Sequence, residues 1–269
     1  MIRLAAFDLD NTLLSSEKMV TPKDEAAVCA SIEKGCHVIL CSGRGRDGML
    51  KTAGQLGVLE RHEFYISDNG AVVTKGTESE PVYINTITSD DLAWIYEQGR
   101  RFSDDLNIQI YDKDRVYVER FDASTAYYQR VIGTEVGVLE RLEEIPDIVK
   151  VVWNGKSSDR LDELRCELEP ILPEGISMFK STARLLEFVA VGTSKGNAVR
   201  FVAEQYGIPM EEVLCMGDNE NDESMILAAG VGAAPANALE RVRSISDYVA
   251  SVDNDHGAAA EVLRKFVLS

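Results

Sequence analysis

The sequence predicts an α/β fold: a doubly wound, Rossmann-like parallel sheet made from both ends of the chain, with an α+β domain inserted between them. Three observations carry this. Leu4-Ala5-Ala6-Phe7 and Val213-Leu214-Cys215-Met216 are short, uncharged apolar runs, as strands buried on both faces require. Helical segments alternate with strands before Val82 and again after Val191. Between these stretches the pattern changes to apolar/polar alternation, typical of an antiparallel sheet with one wet face. The expected boundaries are residues 1–83 and 190–269 for the core and 84–189 for the insert.

The elements follow in order. Thr21-Pro22 starts a helix, with Thr as N-cap and Pro in the first turn, and Gly35 ends it. Ala26, Cys29, Ala30 and Ile32 are its expected apolar face. Residues 37–41 form a strand, 47–56 a helix closed by Gly57, and 64–67 a strand. Asn69-Gly70 turns the chain into Ala71-Val72-Val73. In the insert, a helix carrying Leu92, Ile95 and Tyr96 precedes strands at 108–111 and 116–118. Further strands are expected at 148–153, 177–179 and 185–189, with helices at 123–132 and 159–168. Trp94 and Trp153 are assigned to the core of this insert. Thr193 or Ser194 caps a helix over 195–206, stopped by Gly207 and Pro209. A strand at 213–216, a helix at 223–229, a strand at 231–234 and two terminal helices close the chain.

At 269 residues the chain is long enough for two modest cores. Its net charge of −17 argues against nonspecific binding to nucleic acid or an anionic membrane, and leaves any anionic substrate in need of a local cation. No stretch is apolar for long enough to span a membrane, and the N-terminus enters a strand at once, without the pattern of a signal peptide. The five cysteines form no C-x-x-C pair and are expected to be reduced and buried, in a cytoplasmic protein.

Two aspartate clusters follow the two apolar runs: Asp8-Leu9-Asp10-Asn11-Thr12, and Gly217-Asp218-Asn219-Glu220-Asn221-Asp222. Both fall at the carboxyl end of a strand, where open α/β sheets build their sites. Carboxylates gathered there repel one another unless a cation neutralises them, and hard oxygen donors without His or Cys point to Mg²⁺. Asp8 is placed to attack a phosphoryl group, and Asp10 to protonate a leaving oxygen and later activate water. Thr12 is expected to donate locally and hold its loop. Ser42 offers a hydroxyl and Gly43 a closely approachable amide. Lys195 opens a helix, where its ammonium and the helix N-terminus both favour an anion. Asp218 is a metal ligand on this reading; Asn221 and Asp222 either ligate the metal or orient what does. Asp218–Asp222 is not a calcium loop, because Glu223 and Ala229 stand where an EF-hand needs Gly and Glu.

Asp8-x-Asp10-x-Thr12, Ser42-Gly43-Arg44, Lys195-Gly196 and Gly217-Asp218-x-x-Asn221-Asp222 together resemble, in order, the four motifs of the haloacid dehalogenase superfamily. The insert resembles the type-C2 cap of its Cof-like phosphatases, as do Asn69-Gly70-Ala71 and Asp255-x-Gly257. The resemblance implies Mg²⁺-dependent hydrolysis of a small phosphate monoester, a sugar phosphate or related metabolite, through an aspartyl-phosphate. Asp8 would be nucleophile and metal ligand. Asp10 would be acid/base, with its backbone oxygen on the metal, and Asp218 the third ligand. Ser42, Gly43, Lys195 and Asn221 would bind phosphate, with Thr12, Arg44 and Asp222 in support. Asn11 stands where Gly is usual and Ser42 where Thr is usual; both preserve the chemistry. A phosphotransferase or sugar phosphomutase on the same scaffold is the alternative. Gly43-Arg44-Gly45-Arg46-Asp47-Gly48 also matches a dinucleotide fingerprint in Gly43, Gly45 and Gly48. That reading leaves both aspartate clusters idle.

Overall fold

Strands with no charged side chain can be buried on both faces only where helices cover a sheet from either side. The computed structural model builds such a sheet; it describes residues 1–102, 105–121, 125, 126, 129 and 135–269. The chain divides into two compact units: residues 1–43, 49–83 and 194–269 form the first, and 44–48 with 84–193 the second.

In the first unit, β1 (Leu4–Phe7), β2 (His37–Cys41), β3 (Phe64–Ser67), β4 (Val72–Lys75), β5 (Tyr83–Ile84), β12 (Val213–Met216), β13 (Val231–Ala234) and β14 (Tyr248–Val249) form one sheet. Its order is β14-β13-β12-β1-β2-β3-β4-β5. From β14 to β3 all pairs are parallel, and β4 returns antiparallel to β3. Register places Phe7 opposite both Met216 and Leu40, so β1, β2 and β12 end together. The amide of Asp8 donates to Met216 O at 2.9 Å, and that of Ser42 to Ile66 O at 2.9 Å. The loops that leave β1, β2 and β12 therefore start side by side.

Helix α1 (Pro22–Glu33) starts at Thr21, whose hydroxyl accepts from the amide of Asp24. Its buried residues are Asp24, Ala27, Val28, Ser31 and Ile32, whereas Ala26 and Cys29 are exposed. The expected face was wrong because it passed over Asp24. That carboxylate accepts from the amide of Ala260 at 2.7 Å, so it is buried without being stranded, and the inward stripe runs from it. Two neighbours in sequence lie about 100° apart on a helix, which is enough to turn Cys29 outward. The cysteine expectation needs the same correction: all five are free, but Cys29 and Cys166 are exposed, and only Cys36, Cys41 and Cys215 are buried.

Helix α2 (Asp47–Gln55) follows β2 and lies mostly in the first unit, and the second unit holds α3 (Ser89–Arg100). The sheet consists of β6 (Leu106–Tyr111), β7 (Arg115–Val118), β8 (Glu135–Val138), β9 (Lys150–Gly155), β10 (Ile176–Thr182) and β11 (Leu185–Ala190), in the order β10-β11-β9-β6-β7-β8. All pairs are antiparallel except β7 with β8. Ile108, Ile110, Val151, Trp153, Leu186 and Phe188 point to one face and pack with Leu92 and Ile95 of α3 and with Leu161 and Leu164 of α4 (Ser158–Leu168). Trp153 is fully buried there, and Trp94 packs half-buried against the same cluster. Register puts Gln109 and Glu187 beside Val152, and Tyr111 beside Lys150, on the other face. The helix expected over residues 123–132 falls mostly outside the described residues. Strand β8, Glu-Val-Gly-Val, was not anticipated, because a Gly and a terminal Glu mask so short a pattern.

Back in the first unit, α5 (Lys195–Tyr206) is capped by Ser194, which accepts from the amide of Asn197, and ends at Gly207 with φ 63°. Helices α6 (Glu223–Ala228), α7 (Glu240–Ile245) and α8 (Ala258–Phe266) complete the chain. Among the described residues, no helix is long and apolar enough to cross a membrane.

Candidate active site

Asp8 begins the loop after β1 and Asp218 the loop after β12; Lys195 opens α5 below them. The Lys195 side chain is wholly buried, and Nζ lies 2.6 Å from Asp8 Oδ1 and 2.5 Å from Asp222 Oδ1. The other oxygen of Asp222 accepts from the amides of Asp218 and Asn219, at 2.9 and 3.0 Å. Both oxygens of Asp222 are thus engaged, one on the lysine and one in closing its own turn. Of the two roles left open for it, orienting is the one this geometry supports. The turn depends on Gly217, where a Cβ would come within 2.3 Å of that of Asp222.

Thr12 was expected to donate within its own loop. Its hydroxyl instead donates to Asp218 Oδ1 at 2.9 Å, joining the first aspartate cluster to the second across 206 positions. Asp10 is less buried than this group, though close enough for its charge to push the Asp218 carboxyl up. It is half-buried, and Oδ1 accepts from Lys18 Nζ at 2.8 Å. Ser42 is buried after β2, and Gly43 follows it. Asn221 donates from Nδ2 to Asn69 Oδ1 at 2.9 Å. Arg44 belongs to the 44–48 segment, where Nη1 donates to Gly48 O at 3.2 Å and the amide of Gly48 to Gly45 O at 3.1 Å, closing a turn on itself.

Side-chain oxygens of Asp8, Asp218 and Asp222 all lie within 4.8 Å of one another, and all three residues are buried. One ammonium faces three carboxylates. Burial pushes the Asp8 carboxyl well above its usual range against the pull of Lys195, and Asp222 and Asp218 push the same way. Burial likewise drives Asp218 up to about 6, with Asp222 adding and Thr12 opposing. Burial alone would lower Lys195, but Asp222 and Asp8 outweigh it and hold the ammonium well above the usual lysine range. Such a site is short of positive charge. Its donors are hard oxygens, and with Asp222 committed elsewhere, Asp8 and Asp218 are the carboxylates left to share a cation. A divalent ion fits that donor set.

Several contacts at this edge were not anticipated as site residues. Asp255 accepts from the amide and hydroxyl of Ser16, at 2.6 and 2.7 Å. Asn254 Nδ2 donates to Leu14 O, and Asn237 Nδ2 to Asn11 O, each at 2.8 Å. These three side chains clamp the segment that follows Asp10. Asp255 could be found through its place in Asp255-x-Gly257; Lys18, Asn237 and Asn254 carry no pattern that sets them apart from surface polar residues.

Residues 5–263 match the family model of haloacid dehalogenase-like hydrolases. The chain is a haloacid dehalogenase-like hydrolase. Members of this family generally use a divalent metal, in keeping with the acidic triad. YxeH of Bacillus subtilis (strain 168) is 30% identical over 263 residues, covering 96% of each chain. The 5-amino-6-(5-phospho-D-ribitylamino)uracil phosphatase YcsE of the same organism is 27% identical over 269 residues, covering 99% of this hydrolase and 96% of YcsE. A haloacid dehalogenase-like hydrolase from Bacteroides thetaiotaomicron superposes with a TM-score of 0.87 at 28% identity, covering 98% of this chain and 99% of that one.

Proposed function

We propose that this hydrolase is a Mg²⁺-dependent phosphatase that cleaves a small phosphate monoester, a sugar phosphate or related metabolite, through an aspartyl-phosphate on Asp8. The observation that carries the reading is the buried Asp8 at the tip of β1, held by Lys195 at 2.6 Å and close to Asp218. In support, a relative acts on a phosphorylated ribitylamino compound. The five unpaired cysteines are consistent with a cytoplasmic setting.

An oxygen of Asp8 attacks phosphorus in line with the ester bond. As the Asp8–phosphorus bond forms, the bond to the leaving oxygen breaks, and that oxygen takes its electron pair and a proton from Asp10. Asp10, now a carboxylate, then accepts a proton from water as the water attacks phosphorus. Inorganic phosphate leaves and the Asp8 carboxylate is restored. Lys195, Asn221, the Ser42 hydroxyl and the Gly43 amide hold the phosphoryl oxygens through both steps. A Mg²⁺ ion held by Asp8, Asp218 and the backbone carbonyl of Asp10 would supply the charge that lets an anionic carboxylate meet an anionic phosphate. Residues 84–189 act as the cap that sets substrate preference.

The test is a hydrolysis screen over phosphorylated metabolites, read as free phosphate. Activity is expected to vanish on chelation and return with Mg²⁺. Turnover of well-washed enzyme in excess chelator contradicts the metal. Phosphate found on a second acceptor instead of in solution selects the phosphotransferase or phosphomutase alternative.

A further inference from the structure

Three of the motifs described above meet at a turn that none of them contains. Asp68, Asn69 and Gly70 form a tight turn between β3 and β4, with successive φ values of 50°, 58° and 99°. Two non-glycine residues in a row in the left-handed region are costly, and such a turn persists only where its surroundings hold it. Asn69 is buried. Its amide donates to Ser42 O at 3.0 Å. Its Oδ1 accepts from Asn221 Nδ2 at 2.9 Å. Its carboxamide also lies close against Gly43: a Cβ there would stand 2.9 Å from Asn69 Oδ1 and 3.3 Å from Nδ2. The next residue, Gly70, abuts the start of α5, where a Cβ would stand 2.3 Å from Ser194 O and 3.1 Å from Lys195 N. One turn therefore touches the Ser42-Gly43 loop, the residue before Lys195, and Asn221.

We propose that Asn69 is a positioning residue of the phosphate pocket, fixing the Asn221 amide and the Gly43 backbone at the orientation that receives phosphoryl oxygens. The inference rests on reading Ser42, Gly43, Lys195 and Asn221 as phosphate binders. A primary amide can rotate, and present its oxygen where an N–H is needed. Binding one N–H of Asn221 to Asn69 fixes which end of that amide faces the pocket and leaves its second N–H for the ligand. The contact with Gly43 limits how far that backbone can swing. Left-handed φ explains why the bridge is Asn, the residue that tolerates this conformation best after Gly while carrying a carboxamide.

Asn69→Gly is the informative variant, because Gly keeps the backbone conformation and the amide bond to Ser42 while deleting only the carboxamide. Inorganic phosphate binding is measured by calorimetry on Mg²⁺-loaded protein, with Tm alongside. Affinity is expected to fall about tenfold with Tm nearly unchanged. The loss should be partly non-additive: Asn69→Gly with Asn221→Ala binds phosphate more tightly than the product of the two single losses predicts, because the part of the effect carried by Asn221 is already gone. Phosphate affinity within twofold of the parent protein, or a drop accompanied by a large fall in Tm, overturns the positioning role. So does full additivity with Asn221→Ala. A parent protein that binds no phosphate and releases none from any ester overturns the phosphatase reading and the inference together. A parent that does bind, beside an unaffected Asn69→Gly, removes the inference only.

Discussion

The two sheets place their charges in opposite ways. In the first unit, β1, β2, β3, β12 and β13 contain no Asp, Glu, Lys or Arg, and the charges appear at Asp8 and Asp218, just past the strand tips. In the second unit they lie within the strands: Lys150 on β9 and Glu187 on β11 are both buried, 3.8 Å apart, on the face away from α3 and α4. Lys150 Nζ also stands 4.5 Å from the centre of the Tyr111 ring, and Tyr111 donates from its hydroxyl to Gln109 at 2.7 Å. The tip cluster is unbalanced, with three carboxylates to one ammonium, as befits the cation and phosphate proposed to bind there. In the mid-strand pair one ammonium faces one carboxylate. An unbalanced buried cluster is kept for chemistry at some expense of stability, whereas a balanced one costs most when it is broken.

The largest effect expected from this contrast is on catalysis. On the proposed mechanism Asp8→Asn removes the attacking charge and keeps the shape, so turnover should fall on the order of 10⁴-fold. Thermal stability should hold or rise, because one of the crowded carboxylates is gone while Lys195 keeps Asp222. Purified Asp8→Asn retaining a tenth of normal turnover, or melting much earlier, breaks the contrast on this side.

Lys150→Met should do the reverse. It leaves Glu187 buried without its lysine and is expected to cost about 3 kcal/mol of stability by denaturant unfolding. Adding Glu187→Leu should recover most of that loss, since neither member of the pair is then left without the other. A single variant that melts normally but loses turnover would instead assign Lys150 to substrate handling, and the two sheets would no longer differ in the way described.

The smallest effect concerns burial alone. At pH 8, a thiol reagent should modify Cys29 and Cys166 quickly in the folded protein and the other three only after denaturation. Burial, helped by Glu63, pushes the Cys36 thiol up to about 12, and burial raises Cys41 and Cys215 as well, so these thiols stay protonated at pH 8 as well as enclosed. Rapid labelling of a third cysteine would mean that the first unit opens more readily than its packing implies.

Much of this was legible in the chain because the two main signals are local. Uninterrupted apolar runs marked β1, β2, β3 and β12, and a carboxylate directly after such a run marked a site at the strand tip. The cap of α5 at Ser194 and its stop at Gly207 followed from residue chemistry within a few positions. The inward face of α1 was not legible, because its first buried residue is an aspartate whose partner, the amide of Ala260, lies 236 positions away.

The sequence by itself determined the order of strands and helices, the donor types at the site and the family to which they belong. These depend on side-chain chemistry and on periodicities of a few residues. Tertiary structure alone decided which donors are spent and which remain. It joined Thr12 to Asp218 and Lys195 to Asp8, engaged both oxygens of Asp222, turned Asp10 toward Lys18, and set Asn69 between Gly43 and Asn221. The physical reason is common to all of these. A hydrogen bond depends on distances of about 3 Å between atoms, and apart from the Asp10–Lys18 pair and the turn that Asp222 closes on Asp218 and Asn219 the strands supply those distances by bringing together loops far apart in the chain.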